Sequence, residues 1–315
     1  MGWALSGVGN VLKKSHADRG VDSRVVLHVS TGYEMGTNRP VETEPKMTIR
    51  PIDRELVRQQ YNSASPFPFV KIDTFLEPAF AAEVAAAYPS FEKAIGQGRT
   101  FKAINEQKKV QITDEKLFPA AIARLNRALA SPDFLADLSH VTGIPNLLAD
   151  EELLGGGMHM TGPGGRLDVH IDFNYIESRS LHRRLNLLIY LNSIWEPQWG
   201  GHLQLWDRDV RNCGQSFAPT LNRCVIFETS DISFHGVTPI TGEAPFPRHS
   251  FATYYYTREA PPNWKGTVHS TIFKARPDER FRGYVLMPAE MIQRRIAERV
   301  RQIKQGVKRM MNAVR

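Results

Sequence analysis

Three residues of this 315-residue sequence could converge on one metal ion. His170 and Asp172 stand one residue apart in "RLDVHIDFN", and His235 sits in "SDISFHGVTP". On a strand, residues i and i+2 point the same way, so His170 and Asp172 would present an imidazole and a carboxylate together, with Ile171 turned to the opposite layer. The pair alone says little, since ten histidines in a chain of ordinary composition yield a His-x-Asp by chance about half the time. Ordinary strand polarity is the competing reading, and the downstream residues bear against it. His235 falls on a separate expected strand, and two imidazoles with one carboxylate on one face of Fe(II) leave three positions open, the pattern of non-haem iron oxygenases. Arg248 and Ser250 in "PRHSFATYYYT" share a face of the next strand. A planar guanidinium there suits the distal carboxylate of a chelating co-substrate.

Positioning such residues takes strands, and the second half of the chain supplies them. After about residue 150, short apolar runs alternate with Gly, Pro, Asn and Asp. Strands are expected over residues 166–172, 185–191, 202–206, 223–227, 233–237 and 248–256. Many short strands in so little sequence indicate a sandwich or jelly roll, with a core at about residues 150–260. In "RLNLLIYLN", Leu185, Leu187, Ile189 and Leu191 form an aliphatic face suited to packing on helices. Asn186, Leu188, Tyr190 and Asn192 form a mixed face suited to a barrel interior. Upstream, "LEPAFAAEVAAAYP" is helical up to Pro89, and a second helical region over residues 118–138 is interrupted at Pro132. Residues 1–60 have no sustained period and read as a poorly ordered leader or extended arm, before a domain over residues 61–287.

These elements in this order resemble the Fe(II)- and 2-oxoglutarate-dependent oxygenases of the prolyl-4-hydroxylase-like branch, over about residues 65–260. The resemblance rests on "VHID", "LLIYLN", "WGGHLQLW", "FHG" and "RHS". It implies an α+β fold, a double-stranded β-helix with N-terminal helices on its major sheet. It also implies that His170, Asp172 and His235 hold Fe(II), and that Arg248, Ser250 and Tyr190 contact 2-oxoglutarate, which O2 converts to succinate and CO2 as a C–H bond is hydroxylated. Relatives that halogenate carry a small residue at the position of Asp172, so the carboxylate argues for hydroxylation. Met160 departs from the pattern, since many members have tyrosine there.

The formal charge of +7 does not indicate nucleic acid. Residues 288–315 carry eight Lys or Arg against Glu290 and Glu298, which leaves the rest of the chain at about +1. This segment reads as a basic amphipathic helix with a stripe through Ile292, Ile296, Val300, Ile303, Val307, Met310 and Val314, a possible homodimer contact. No apolar run reaches the roughly 20 residues of a membrane span, the start lacks the order of a secretory signal, and two cysteines make no disulfide framework, so a cytoplasmic protein is expected. The expected substrate is a small metabolite or biosynthetic intermediate. The alternatives are a prolyl-type protein hydroxylase, or a non-catalytic protein that binds metal or 2-oxoglutarate. Substrate contacts are expected from His159, Asn174, Arg179, Arg184 and Trp206, with lids at residues 155–165 and 177–189.

Overall fold

The computed structural model describes residues 48–262, 264–279 and 281–287. The leader up to residue 47 and the C-terminal helix expected from Pro288 lie outside the described residues. The boundary expected at residue 60 is corrected, because helix α1 (Arg54–Ser63) already belongs to the packed domain. Asp53 caps it through Leu56 N, and Val57 and Tyr61, one turn apart, are its buried residues. Only that pair is buried, while Leu56 is exposed, so the sequence shows no sustained stripe.

Helices α2 (Pro78–Ala86), α3 (Phe91–Gln97), α4 (Ala120–Leu129) and α5 (Pro132–Thr142) follow. Pro132 does not interrupt a helix so much as start one, since it occupies the first turn of α5 and Ser131 caps Phe134 N. Val84, Ile122, Leu125 and Leu138 from the helices share one buried cluster with Leu185, Leu187, Ile189 and Leu191. The aliphatic face of "RLNLLIYLN" therefore meets the helices as its alternation indicates.

The strands are β1 (Phe69–Ile72), β2 (Arg99–Lys102), β3 (Glu106–Ile112), β4 (Leu148–Ala149), β5 (Gly157–Ile171), β6 (Tyr175–Ile176), β7 (Leu181–Tyr190), β8 (Leu203–Trp206), β9 (Cys213–Phe217), β10 (Cys224–Glu228), β11 (His235–Val237), β12 (Arg248–Thr257) and β13 (Ile272–Lys274). They run antiparallel in the order β1-β10-β7-β12-β5-β11-β8-β9. Strand β5 serves two layers. Its first half pairs with β12 and β3, with Met160 opposite His249, while its second half pairs with β11 and β13, with His170 opposite His235. The sheet thus curls into a major layer, β1-β10-β7-β12-β5, and a minor layer, β5-β11-β8-β9, joined through one strand. This is a double-stranded β-helix.

Neither expected lid is a free loop. Residues 157–165 lie inside β5, and β7 starts at Leu181, leaving only a short 3-10 turn at Glu177–Arg179. Glycine composition suggested mobility at the first, but Gly157 has a φ of 85° and a Cβ there would collide with the Ile112 carbonyl oxygen of β3. The glycine permits close strand approach, so its role is packing.

Candidate active site

The open end of the barrel gathers His170, Asp172 and His235. His170 closes β5, Asp172 follows just beyond it, and His235 begins β11 directly opposite His170. Their ligand atoms all lie within 4.8 Å of one another. Asp172 Oδ1 is 3.5 Å from His170 Nε2, and Oδ2 is 3.5 Å from His235 Nε2. Each imidazole is fixed by a carbonyl two residues upstream: His170 Nδ1 donates to Asp168 O at 2.9 Å and His235 Nδ1 to Ser233 O at 3.0 Å. A carbonyl only accepts, so Nδ1 carries the proton and Nε2 offers its lone pair inward. Burial, together with the neighbouring His170, pushes His235 down to about 4, which keeps it neutral at physiological pH.

Asp172 is held by residues from β7. Asn186 Nδ2 donates to Oδ2 at 2.7 Å, and Arg183 Nη2 lies 3.0 Å from the same oxygen. Burial opposes the charge on Asp172, but Arg183 and the two imidazoles outweigh it and hold the carboxyl well below its ordinary range. Arg183 also donates to Asn186 Oδ1 through Nε and Nη2, at 3.0 and 2.8 Å, and stacks 3.5 Å over the Tyr254 ring. Strict alternation would put Arg183 and Asn186 on opposite faces. A bulge brings them together: Tyr255 opposes Leu185 and Tyr256 opposes Arg183, so Arg184 is the extra residue. The sequence carried no sign of this bulge.

A second corner of the cavity is built on the major sheet. Arg248 and Ser250 lie on β12, with Ser250 opposite Tyr190 of β7. Arg248 Nε donates to Gly201 O at 2.8 Å, Nη1 donates to Ser250 Oγ at 3.3 Å, and the guanidinium lies 4.8 Å from the Tyr190 ring centre. The pair Gly200 and Gly201, at φ 71° and 68°, makes the turn that delivers this carbonyl. Arg248 Nη2 and Tyr190 Oη are buried and have no hydrogen-bond partner among the described residues. Burial raises the Tyr190 hydroxyl to about 12, so it remains a donor.

The residues expected to bind substrate are only partly brought together. His159 lines the same cavity as the two corners, alongside Lys109, Thr161, Arg166 and Tyr254. The other four do not. Arg179 turns to Asp150, Glu151 and Glu152, at 3.6, 3.8 and 3.9 Å. Arg184, the bulge residue, donates to Thr257 Oγ1 at 3.1 Å. Asn174 is consumed by backbone, donating to Thr267 O and accepting from His269 N. Trp206 packs with Val169 and Ile171, the residues that alternate with His170 and so face away from the cavity. Lys109 and Arg166 were missed, because β3 shows no apolar alternation at its start and Arg166 carries no signal apart from its charge.

Residues 156–256 match the family model described as 2OG-Fe(II) oxygenase superfamily. A stretch of 65 residues is 35% identical to prolyl 3-hydroxylase OGFOD1 of Mus musculus, covering 19% of this chain and 12% of that protein. Among solved structures, a prolyl hydroxylase from Trichoplax adhaerens, in complex with a hypoxia inducible factor oxygen degradation domain peptide fragment, aligns at 20% identity. It covers 64% of this chain and 90% of that one, with a TM-score of 0.47. A Pseudomonas putida prolyl-4-hydroxylase aligns at 16% identity, covering 64% of this chain and all of that one, with a TM-score of 0.46.

Proposed function

We propose that this chain is an Fe(II)- and 2-oxoglutarate-dependent dioxygenase that hydroxylates an unactivated C–H bond, a reading supported by the match of residues 156–256 to the 2OG-Fe(II) oxygenase superfamily model. The observation that carries the reading is the pairing of two incomplete corners in one cavity. His170, Asp172 and His235 offer two imidazole nitrogens and a carboxylate, a donor set suited to Fe(II). Arg248 and Tyr190 offer two buried donors with nothing to bind, which fits the far carboxylate of 2-oxoglutarate. Bound Fe(II) with 2-oxoglutarate and O2 supplies the oxidising power, releasing succinate and CO2.

The chain's own residues set the conditions for that chemistry. Asp168 O and Ser233 O hold the Nδ1 side of each ring and so keep both Nε2 atoms aimed inward. Asn186 and Arg183 both occupy Asp172 Oδ2, leaving Oδ1 as the freer oxygen for a metal. Arg248, Ser250 and Tyr190 orient the co-substrate by its remote end. Apolar Leu188, Leu203 and Val237 line the space around these polar groups and limit water.

The charge balance of the cavity bears on the substrate. Lys109 is paired with Glu106 at 2.9 Å, and Arg166 with Asp168 and Glu279 at 2.7 and 2.6 Å. Arg248 is the only lining cation without a carboxylate partner among the described residues, and the co-substrate takes it. The group presented for oxidation is therefore uncharged, on a small metabolite or biosynthetic intermediate. A prolyl side chain within a polypeptide is equally uncharged, and the name of the mouse relative favours this second reading. The test is to incubate enzyme, Fe(II) and 2-oxoglutarate separately with a metabolite pool and a peptide pool, and to seek a gain of one oxygen by mass spectrometry. Absence of 2-oxoglutarate turnover in either pool, and without any substrate, would remove the enzymatic reading and leave a binding protein.

A further inference from the structure

Beyond the matched segment, residues 272–279 run back across the minor sheet. Strand β13 pairs with β5, setting Phe273 opposite His170, with ring centres 5.3 Å apart. Just past β13, Arg276 is buried where β5 and β11 fall out of step. His235 opposes His170, but Val237 opposes Leu167, so Asp168 and Val169 together face the single residue Gly236. This is a bulge in the strand that carries His170. It has two visible consequences. It frees the Asp168 carbonyl to accept from His170 Nδ1, and it draws the strands so close that a Cβ at Gly236 would lie 3.0 Å from the Leu167 oxygen.

Arg276 closes this irregularity from outside the barrel strands. Its Nη2 donates to Val237 O at 3.1 Å and to Leu167 O at 3.4 Å, one carbonyl on each histidine-bearing strand. Its Nε donates to Gln204 Oε1 of β8, the strand beyond β11, at 3.0 Å. One rigid guanidinium thus spans three adjacent strands at the point where the separation of His170 from His235 is decided.

We propose that Arg276 is a positioning residue for the metal site, locking the β5 bulge so that the two imidazoles meet at metal-binding separation. The inference rests on the metal-binding reading above. Docking of residues 272–279 and metal binding then favour each other, because each stabilises the same strand register. The bond that Arg276 makes to Gln204 gives a mild handle on the same contact.

Co(II) serves as the probe, titrated into the metal-free full-length protein, with affinity and the visible absorption band as readouts and the thermal midpoint of the metal-free form recorded alongside. Arg276→Met is expected to weaken Co(II) binding by about 10- to 100-fold and to shift the band. Arg276→Lys, which keeps the charge but loses the fork, falls between it and the wild type. Gln204→Leu moves affinity the same way by a smaller factor, and carries the test if Arg276→Met does not fold. Lowered thermal midpoints with wild-type Co(II) affinity and an unchanged band would overturn the proposal and leave Arg276 a merely structural tie. A wild-type protein that takes up no Co(II) would instead overturn the metal reading on which it rests.

Discussion

The two layers of the barrel differ in how far charge supplements apolar burial. The major sheet turns Leu185, Leu187, Ile189, Phe251 and Tyr255 outward into the helices and is stabilised by apolar burial. The second half of β5 has a smaller apolar cluster, Val169 and Ile171 with Trp206 and Phe234, and adds to it a linked set of charges, Arg166, Asp168, Arg276, Glu279 and Arg282. The layer proposed to anchor the co-substrate carboxylate thus rests mainly on packing, which sets register through the face it buries. The layer that carries both histidines adds directional contacts, which hold single carbonyls and side chains in place. Burial stabilises a platform, whereas guanidinium forks specify positions on it.

The sharpest way to break this comparison is at Asp172. Asp172→Ala removes the one carboxylate of the proposed metal triad and should abolish stoichiometric Fe(II) retention while the circular dichroism of the metal-free protein stays native, since the fold rests on the apolar cluster. Fe(II) retained equally well by the variant would return "VHID" to ordinary strand polarity. On the packed side, Leu187→Ala should cost about 2–5 kcal/mol of stability in denaturant melts. The Fe(II) affinity of the fraction that remains folded should not change. A coupled loss of affinity would show that the layers are not independent. Arg248→Ala should leave Fe(II) bound and raise the 2-oxoglutarate requirement by about 10- to 150-fold, the equivalent of a charge-assisted contact worth roughly 1.5–3 kcal/mol. Anaerobic titration followed by the visible charge-transfer band of the chelate reads that shift.

The smallest expected effect is a pH dependence on the packed side. His249 stacks on Tyr88 with ring centres 4.6 Å apart, and burial lowers it from the ordinary 6.5 to about 4. Its folded value lies below its unfolded one, so the unfolded chain binds the proton first on acidification. The contribution of the neutral ring is complete above the unfolded value and is lost progressively as pH falls from 6.5 toward about 4. His249→Phe keeps the stack and should flatten the fall in thermal midpoint across that window. An equally steep fall in the variant would assign the dependence to other groups.

Much of the packed layer was legible in the sequence, and much of the directional layer was not, for the same physical reason. Strands β7, β10 and β12 advertise themselves because burial on one or both faces requires continuous apolar runs, and α2 and α4 because alanine and leucine favour helix. His170, Asp172, His235 and Arg248 were legible as candidates because their spacing on strands could carry chemistry, and Tyr190 through the resemblance alone. The β2–β3 hairpin was invisible, since Glu106, Gln107, Lys108 and Lys109 show no period and only Val110 to Ile112 are buried. The place of Arg183 beside Asp172 depends on a bulge, and bulges leave no mark in composition. Asp168 and Arg276 are separated by more than a hundred residues, and nothing local in either indicates the other.

The position of β12 has a consequence for how the chain reaches this state. It lies in the middle of the major layer, between β7 and β5, yet it follows both in the sequence. Until Arg248–Thr257 has emerged from the ribosome, β5 and β7 each present an open edge where their future neighbour belongs. A nascent chain therefore holds two template-like edges exposed while the segment from the end of β7 at Tyr190 to the end of β12 at Thr257 is made, and the barrel closes only when the late strand slots between them. Folding is dominated by such distant pairings and is correspondingly slow. A fragment ending before Arg248 should self-associate through those edges, a hazard that the finished protein no longer shows at that seam.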